Sequence, residues 1–424
     1  MKEYKPRIAD KVLKDKLESK GAVLIVGAKW CGKTTTAEQV AKSVVRMQDP
    51  ARKSQYIEMA DVDPVKLLQG AVPRLIDEWQ LAPKLWDAVR VEVDKRDDFG
   101  QFILTGSAVP PNKKDISHTG TGRISRMRMR PMSLYESQDS TGTVSLQGLF
   151  DGASDVGGTS NLDLDSLAFV ICRGGWPKSL NNNQRIALAQ AIDYFEAVVT
   201  TDISNVDNTS RSEEKTRKLM RSYARFVGST CSLQTIISDL EENEGGSISK
   251  ATIESYVAAL NKIYVIEDSL AWNPNLRSKT AVRTSDTRYY TDPSIGTAAL
   301  GLGPEDLKND LNTMGFMLEN LCVRDLRVYT DLLGGNVYHY RDSYGLECDA
   351  VVHLRNGKYG LIEIKLGGEK AIADAAETLN KLSDSIDTSK MPAPSFKMVL
   401  TGIGDMAYKR KDGIFVVPIG CLKD

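Results

Sequence analysis

Histidine is scarce, with three in 424 residues, and the six cysteines (Cys31, Cys172, Cys231, Cys322, Cys348, Cys421) lie scattered, with no Cys-x-x-Cys pair. Zinc modules need clustered Cys and His ligands, so this spacing argues against them and suits a reducing cytoplasm rather than a disulfide framework. No apolar run approaches the roughly 18 residues that span a bilayer. The opening Met1-Lys2-Glu3-Tyr4-Lys5 has no signal-peptide core, so the expectation is a cytoplasmic protein with no membrane partner. An excess of either charge is also missing: 55 Lys and Arg face 56 Asp and Glu, for a net charge of −1. Any contact with nucleic acid therefore has to come from local patches and not from a global field. The length fits two to four domains, and neither an internal repeat nor a heptad run is present.

What is there begins as alternation. Short apolar stretches at 22–26, 55–59, 74–76 and 102–104 read as strands, and 33–46 and 83–93 read as helices, which predicts an α/β layer with a mostly parallel sheet. Residues 139–166, rich in Ser, Thr, Gly and Asp, read as an exposed insertion or mobile loop. A helical region over 167–204 is broken by the turn Gly174-Gly175-Trp176-Pro177.

Gly27-Ala28-Lys29-Trp30-Cys31-Gly32-Lys33-Thr34 matches G-x4-G-K-[ST], with an apolar strand before it and a helical stretch after. Glycines at these positions let backbone N–H groups turn in around phosphate oxygens. The spacing makes Gly27, Lys29, Gly32, Lys33, Thr34 and Thr35 the candidate nucleotide contacts. Lys33 is placed to reach the β- and γ-phosphates of ATP, and Thr34 to hold Mg²⁺ through its hydroxyl. Arg74-Leu75-Ile76-Asp77-Glu78 is an apolar strand ending in two carboxylates, the Walker-B arrangement: Asp77 faces Mg²⁺ and Glu78 is the candidate base that polarises water. The stretch from Phe102 to Ser107 ends in hydroxyls, where Ser107 is the candidate sensor of the γ-phosphate; a plain turn is the alternative.

These segments, with Gly122-Arg123, Arg130-Pro131-Met132-Ser133-Leu134-Tyr135-Glu136, Gly174–Pro177 and Asp292-Pro293, resemble in order a bacterial and archaeal group of AAA-type ATPases with a largely uncharacterised C-terminal region. The loop departs from the usual form of that group at Lys29, Trp30 and Cys31, where Arg, Gln and Val are more usual. The resemblance implies ATP hydrolysis and makes Arg123 a candidate arginine that senses nucleotide or acts across an interface in a homo-oligomer. Arg126, Arg128 and Arg130 alternate with Met127 and Met129, so period 2 puts the arginines on one strand face, either to meet phosphate or to guard a solvated edge.

Three helical stretches across 211–262, followed by short strands at 264–267 and 288–290, have the order of a winged helix, with Ser249 as N-cap of the third. Basic residues cluster at Arg211, Lys215, Arg217, Lys218, Arg221 and Arg225, and again at Arg277, Lys279, Arg283 and Arg288. Such a module docks DNA or protein. Further on, Asp349 lies on a strand that turns at Arg355-Asn356-Gly357 into a second strand carrying Glu363-Ile364-Lys365. A three-residue loop pairs Asp349 with Glu363 and puts Ala350, Val352 and Leu354 on the face of Ile362, Ile364 and Leu366; a two-residue loop mixes carboxylates with apolar residues. The Asp and Glu-x-Lys pattern resembles the PD-(D/E)XK nuclease site. That resemblance implies Mg²⁺ held by Asp349, Glu363 and Glu319 (a helical glutamate), with Lys365 orienting water.

The sequence therefore predicts an α/β chain of three parts: a P-loop AAA-type ATPase domain with a helical extension (1–204), a helical, winged-helix-like domain (205–298) and a restriction-endonuclease-like α/β domain (299–424). The leading function is an ATP- and Mg²⁺-dependent ATPase acting on duplex or branched DNA. The rival is a nucleotide-dependent switch that docks protein partners, with the nuclease-like domain kept as scaffold.

Overall fold

The computed structural model describes residues 4–106, 120–154, 156–207, 209–245, 248–273 and 285–424. They form two compact units. The first takes in the chain up to Pro131 together with Thr200–Arg211 and Ala258–Tyr264; the second holds Met132–Val199, Ser212–Val257 and Val265–Asp424. This grouping sets 132–199 with the later residues, where the sequence led to a first domain running to 204.

In the first unit, β1 (Ala22–Val26), β2 (Ser43–Arg46), β3 (Arg74–Asp77), β4 (Phe102–Thr105) and β5 (Ile124–Arg128) make a parallel sheet in the order β2-β3-β4-β1-β5. Alternate side chains enter two cores, as the strand period requires. Val23, Ile25, Leu75, Ile103 and Met127 pack with α1 (Ile8–Leu17) and α2 (Lys33–Glu38). Ala22, Leu24, Ile76, Phe102 and Leu104 pack with α3 (Lys53–Val62) and α4 (Lys84–Arg96). Both faces of the sheet are thus covered, which is why its strands are short and almost wholly apolar.

Two expectations fail here. The helix after the glycine loop stops at Glu38, and the β-branched Val44 and Val45 go into β2 instead, paired with Leu75 and Ile76. The expected strand at 55–59 is inside helix α3, where Tyr56 and Ala60, four residues apart, face the core. The arginine alternation is as read: Met127 and Met129 are buried, whereas Arg126 is exposed on the edge strand β5.

In the second unit, the helix Leu311–Leu333 leads into β7 (Gly335–Arg341), β8 (Glu347–Leu354) and β9 (Tyr359–Lys365), an antiparallel meander; the short β6 (Val144–Ser145) comes earlier in the chain. The helix Glu369–Ser385 then crosses over to β10 (Phe396–Thr401), parallel to β9, and β11 (Tyr408–Lys409) and β12 (Phe415–Pro418) complete a sheet in the order β11-β12-β10-β9-β8-β7. Val351, Tyr359, Leu361 and Val399 pack against Ala375, Ala376, Leu379 and Leu382 of the crossover helix. The β8–β9 register, with Ala350 opposite Ile362 and His353 opposite Tyr359, is that of the three-residue loop, and Gly357 takes the positive φ (86°) that such a loop needs.

The first part of the stretch expected as an exposed insertion, 139–150, is packed instead, whereas the described residues of 151–161 are irregular and exposed or half-buried, as read. β6 pairs with β13 (Leu422–Lys423), Ser140 Oγ donates to Leu422 O and Thr141 N–H to Gly420 O, and Leu146, Leu149 and Phe150 are buried. Its small polar residues serve in turns and caps (Ser145 Oγ accepts from Gly148 N–H at the start of the helix Leu146–Phe150), so composition alone mistook 139–150 for solvent-exposed chain. Helices Glu213–Arg225, Leu233–Asn243 and Lys250–Lys262 lie where three were expected, and Ser249 Oγ accepts from Thr252 N–H. The following strands reduce to two antiparallel bridges, Ile266 with Tyr290 and Ser269 with Thr287. A buried Arg324 joins Asp292 (2.8 Å) and Asp325 (2.7 Å); Asp292 also accepts from Gly175 N–H and Asp325 from Leu134 N–H, which fixes two distant turns. All six cysteines are free and buried, and no helix among the described residues is long and apolar enough to cross a membrane.

Candidate functional site

The loop between β1 and α2 sits at the carboxyl edge of the first sheet. Gly27 has φ 149° and packs so tightly that a Cβ would come 2.0 Å from Met129 O; Gly32 has φ 102° and starts α2. Only glycine tolerates both demands. Arg7 braces the loop from below: its guanidinium donates to Cys31 O at 2.8 Å and to Arg130 O at 2.9 Å. Cys31, fully buried, turns its thiol to Met129 O. Of the unusual residues in the loop, Cys31 is thus packed inside it, whereas Trp30 takes a left-handed φ of 65°. Lys29 reaches Asp202 at 2.6 Å, and Trp30 is two-fifths exposed.

Lys33 is buried, and its ammonium donates to the carbonyls of Gly27 (3.0 Å) and Ala28 (2.8 Å), inside the loop that it would serve. Thr34 Oγ1 donates to Asp77 Oδ1 at 2.7 Å, and Thr105 Oγ1 donates to the same oxygen at 2.7 Å. The ends of β3 and β4 and the first turn of α2 thus meet at one buried carboxylate. A hydroxyl and a carboxylate side by side are hard oxygen donors of the kind that hold Mg²⁺ while it keeps waters and phosphate oxygens as its other ligands, so the donor set fits that ion. Thr35, one residue on, is exposed. Glu78 follows Asp77 with φ 57°, and Gln80 Nε2 donates to its Oε2 at 2.5 Å. Burial pushes the Glu78 carboxyl upward and Asp77 adds to this, while the Gln80 donor and the ammoniums of Lys33 and Lys29 oppose it.

Two candidates fare differently. Arg123 does not meet this site in its own chain. Its carbonyl accepts from Ala22 N–H, at the amino end of β1, so the parallel register leaves it a strand length, about 15 Å, from the glycine loop. There it is exposed and paired with Asp94 at 2.8 Å. The residues of β5 at the loop edge are Arg128, stacked over Tyr264, and, just beyond, Arg130. Ser107 lies outside the described residues; Thr105 is the strand hydroxyl that reaches Asp77. Arg7 and Gln80 were not singled out in the sequence, and Thr105 entered only as one of the hydroxyls that end its strand. For Arg7 no local pattern exists, while Thr105 and Gln80 stood within three residues of features that were.

In the second unit, Lys365 Nζ lies 2.6 Å from Glu363 Oε2 and 3.2 Å from Asp349 Oδ2, and Asp349 also accepts from Ile364 N–H at 2.7 Å. Glu319 is half-buried and accepts from the Tyr289 hydroxyl. Burial, reinforced by Asp349, raises Glu363 to about 8 and Glu319 well above the ordinary value. Burial also opposes the charge on Lys365, yet the two carboxylates keep its pKa above that of an ordinary lysine. The expected metal set of Glu319, Asp349 and Glu363 is not formed: among the described residues no group of three or more His, Cys, Asp or Glu side chains is arranged to hold a metal ion. The Lys365 ammonium takes the position between the two strand carboxylates, and Glu319 is turned to a phenol. These residues, as they stand, do not fit a resident divalent ion.

The expected basic face is largely committed as well. Arg217 pairs with Glu196, Lys218 with Glu214, Arg225 with Asp239 and Glu244, Arg288 with Asp268, and Arg211 with Asp207. Arg277, Lys279 and Arg283 lie outside the described residues.

Three family models match the chain. Residues 19–138 match one described as "AAA domain", 164–306 a domain of unknown function (DUF8612) and 314–422 another (DUF4143). The glycine loop, Asp77 and the parallel sheet all fall in the first. That stretch is an AAA-type P-loop domain. The chain is also similar to an uncharacterized protein of Mycobacterium tuberculosis and one of Mycobacterium bovis, each 25% identical over 352 residues, covering 81% of this chain and 70% of theirs. Among solved structures, a Walker-type ATPase of Pyrococcus abyssi is 13% identical with a TM-score of 0.41, covering 68% of this chain and 94% of its own. The ORC2 protein of Aeropyrum pernix is 13% identical with a TM-score of 0.30, covering 62% and 86%. Likenesses at that level carry nothing further about this chain.

The carboxyl cluster of the second unit generates a pH effect with a definite sign. Burial, with Asp349 beside it, raises the Glu363 carboxyl to about 8 in the folded chain, against an ordinary 4.5. A raised pKa gives stability that is full below 4.5 and lost as pH rises through about 8, and Glu319 acts in the same direction. Glu363→Gln keeps the shape and removes that group's titration. The urea midpoint should therefore fall less steeply over this pH window in the variant than in the wild type.

Proposed function

We propose that the chain binds ATP with Mg²⁺ at its P-loop and hydrolyses it. The observation that carries this reading is the meeting of Thr34 and Thr105 on the Asp77 carboxylate, with the Lys33 ammonium held in the loop above. Gly27 and Gly32 open the backbone around the phosphates, and Lys33 exchanges two loop carbonyls for the β- and γ-phosphate oxygens. Thr34 and Asp77 would hold Mg²⁺, which when bound supplies positive charge against the phosphate oxygens. Glu78, pushed toward a higher pKa and fixed by Gln80, accepts the proton of the attacking water. Arg123, at the other end of the sheet, has a role only across an interface with a second copy.

For the target, the strand order supports a nuclease-derived module. A helix, three antiparallel strands, a crossover helix and a parallel strand carry Asp349 opposite Glu363, with Lys365 between them. On this reading the ATPase acts on DNA, duplex or branched, and the module binds it. The second reading, a nucleotide-dependent switch that docks protein partners, is favoured by a different observation: the basic residues of the helical segment are spent on neighbouring carboxylates. Binding to duplex, single-stranded, forked and four-way DNA with ATP and Mg²⁺ separates the two. Affinity that falls steeply with salt supports DNA as target, because phosphate contacts release counterions. Absent or salt-insensitive binding supports the switch.

The ATPase itself has a direct test. Lys33→Ala should weaken ATP binding by roughly two orders of magnitude or more, since it removes the charge on the phosphates. Glu78→Gln should keep ATP binding and slow turnover on the order of 10²-fold. Unchanged ATP affinity by calorimetry in the first variant would sink the site assignment, and wild-type turnover in the second would move the base elsewhere.

A further inference from the structure

We propose that Gln80 is a positioning residue for hydrolysis: its carboxamide holds the Glu78 carboxylate in place and keeps it off the lysines of the P-loop. This rests on Glu78 being the base.

The backbone sets the problem. β3 ends at Asp77, and Glu78 takes left-handed φ and ψ (57° and 44°), a conformation that disfavours any side chain with a Cβ. The next residues, Trp79–Leu81, form a 3₁₀ turn in which Leu81 N–H donates to Glu78 O and Ala82 N–H to Trp79 O. Trp79 anchors that turn in the core, buried, with its ring centroid 5.1 Å from that of Trp86. The sharp reversal folds Gln80 back over Glu78, two residues away, so that Nε2 donates to Oε2 at 2.5 Å. A non-glycine residue held in this region, at the end of a strand that carries the site, is where function and backbone strain coincide.

The amide has no freedom to turn away. Its Oε1 is buried and has no hydrogen-bond partner among the described residues. Reversing the amide would put Oε1 against the carboxylate oxygen, so Glu78 dictates its orientation. Gly106, at the end of β4, closes the other side: a Cβ there would come 2.3 Å from Gln80 Oε1 and 3.4 Å from Trp79 Cδ1. Among the described residues this buried carbonyl oxygen is thus left without a partner while the contact to Glu78 is kept, an arrangement that packing alone would not select.

The charges around Glu78 explain the need. Asp77 repels it, and Lys33 and Lys29 attract it. A carboxylate free to swing would settle on an ammonium, where it neither accepts a proton from water nor leaves Lys33 available to phosphate. Lys33 instead bonds to the carbonyls of Gly27 and Ala28, and Lys29 to Asp202. A neutral donor fixes the base without adding a charge that would compete for the nucleotide.

The test is a cycle of four proteins: wild type, Gln80→Leu, Glu78→Gln and the double variant, each measured for ATP affinity by calorimetry and for kcat and KM. Gln80→Leu should lower kcat about tenfold or more, as loss of positioning does, with ATP affinity within about twofold of wild type. The double variant should be no slower than Glu78→Gln alone, because Gln80 acts only through Glu78. Gln80→Met, unbranched and closer in shape, should repeat the result if the leucine variant unfolds early in urea. Wild-type kcat in folded Gln80→Leu and Gln80→Met, or a double variant slowed by the product of the two single effects, overturns the proposal while leaving Glu78 as base. Wild-type turnover in Glu78→Gln alone removes the base itself and this proposal with it.

Discussion

One oxygen of Asp77 organises the first unit's candidate site. It accepts the hydroxyls of Thr34, in the first turn of α2, and Thr105, from the end of β4, so two parallel strands and the helix after the glycine loop are tied at a single buried carboxylate. The parallel register makes this possible by bringing Asp77 level with Thr105 and Arg46 at one edge of the sheet. Everything nearby follows from that fixed point. Glu78 must leave the strand in a left-handed turn, Gln80 folds back over it, and the glycine loop closes above with Lys33 inside. Each charged-to-neutral hydrogen bond of this kind contributes about 1.5–3 kcal/mol, and its loss would strand a buried charge.

The second unit handles buried carboxylates in another way. Directly opposed Asp349 and Glu363 would repel, and the chain supplies its own cation, Lys365, two residues after Glu363 on the same face of β9. Burial then raises the carboxyls of Glu363 and Glu319 above their ordinary range. The P-loop leaves an ammonium resting on exchangeable backbone carbonyls, whereas here the ammonium is bound to carboxylates. The first arrangement is open to a polyphosphate; the second is already neutralised.

Much of this was legible in the sequence where local chemistry dictates geometry. The G-x4-G-K-T spacing, the apolar strands ending in Asp77 and Thr105, and the three-residue turn that brings Asp349 to Glu363 each follow from backbone demands of a few residues. What was not legible depends on tertiary partners. Helix α2 ends early because Val44 and Val45 pair with β3, and 139–150 is packed because the C-terminal strand lies beside it. Arg123 falls at the far end of the sheet because β5 runs parallel to β1, a direction that no motif records. The arginines between 211 and 288 read as a free basic face only while their partners, such as Glu196, Asp239 and Asp268, were out of sight along the chain.

The most direct measurement is a structure of the full chain with a non-hydrolysable ATP analogue and Mg²⁺. Lys33 Nζ should leave the carbonyls of Gly27 and Ala28 for the β- and γ-phosphates, with Thr34 and Asp77 turned to the metal ion and Glu78 still held by Gln80. A nucleotide bound elsewhere, or none at saturating concentration with Lys33 unmoved, would contradict the assignment of this loop as the ATP site.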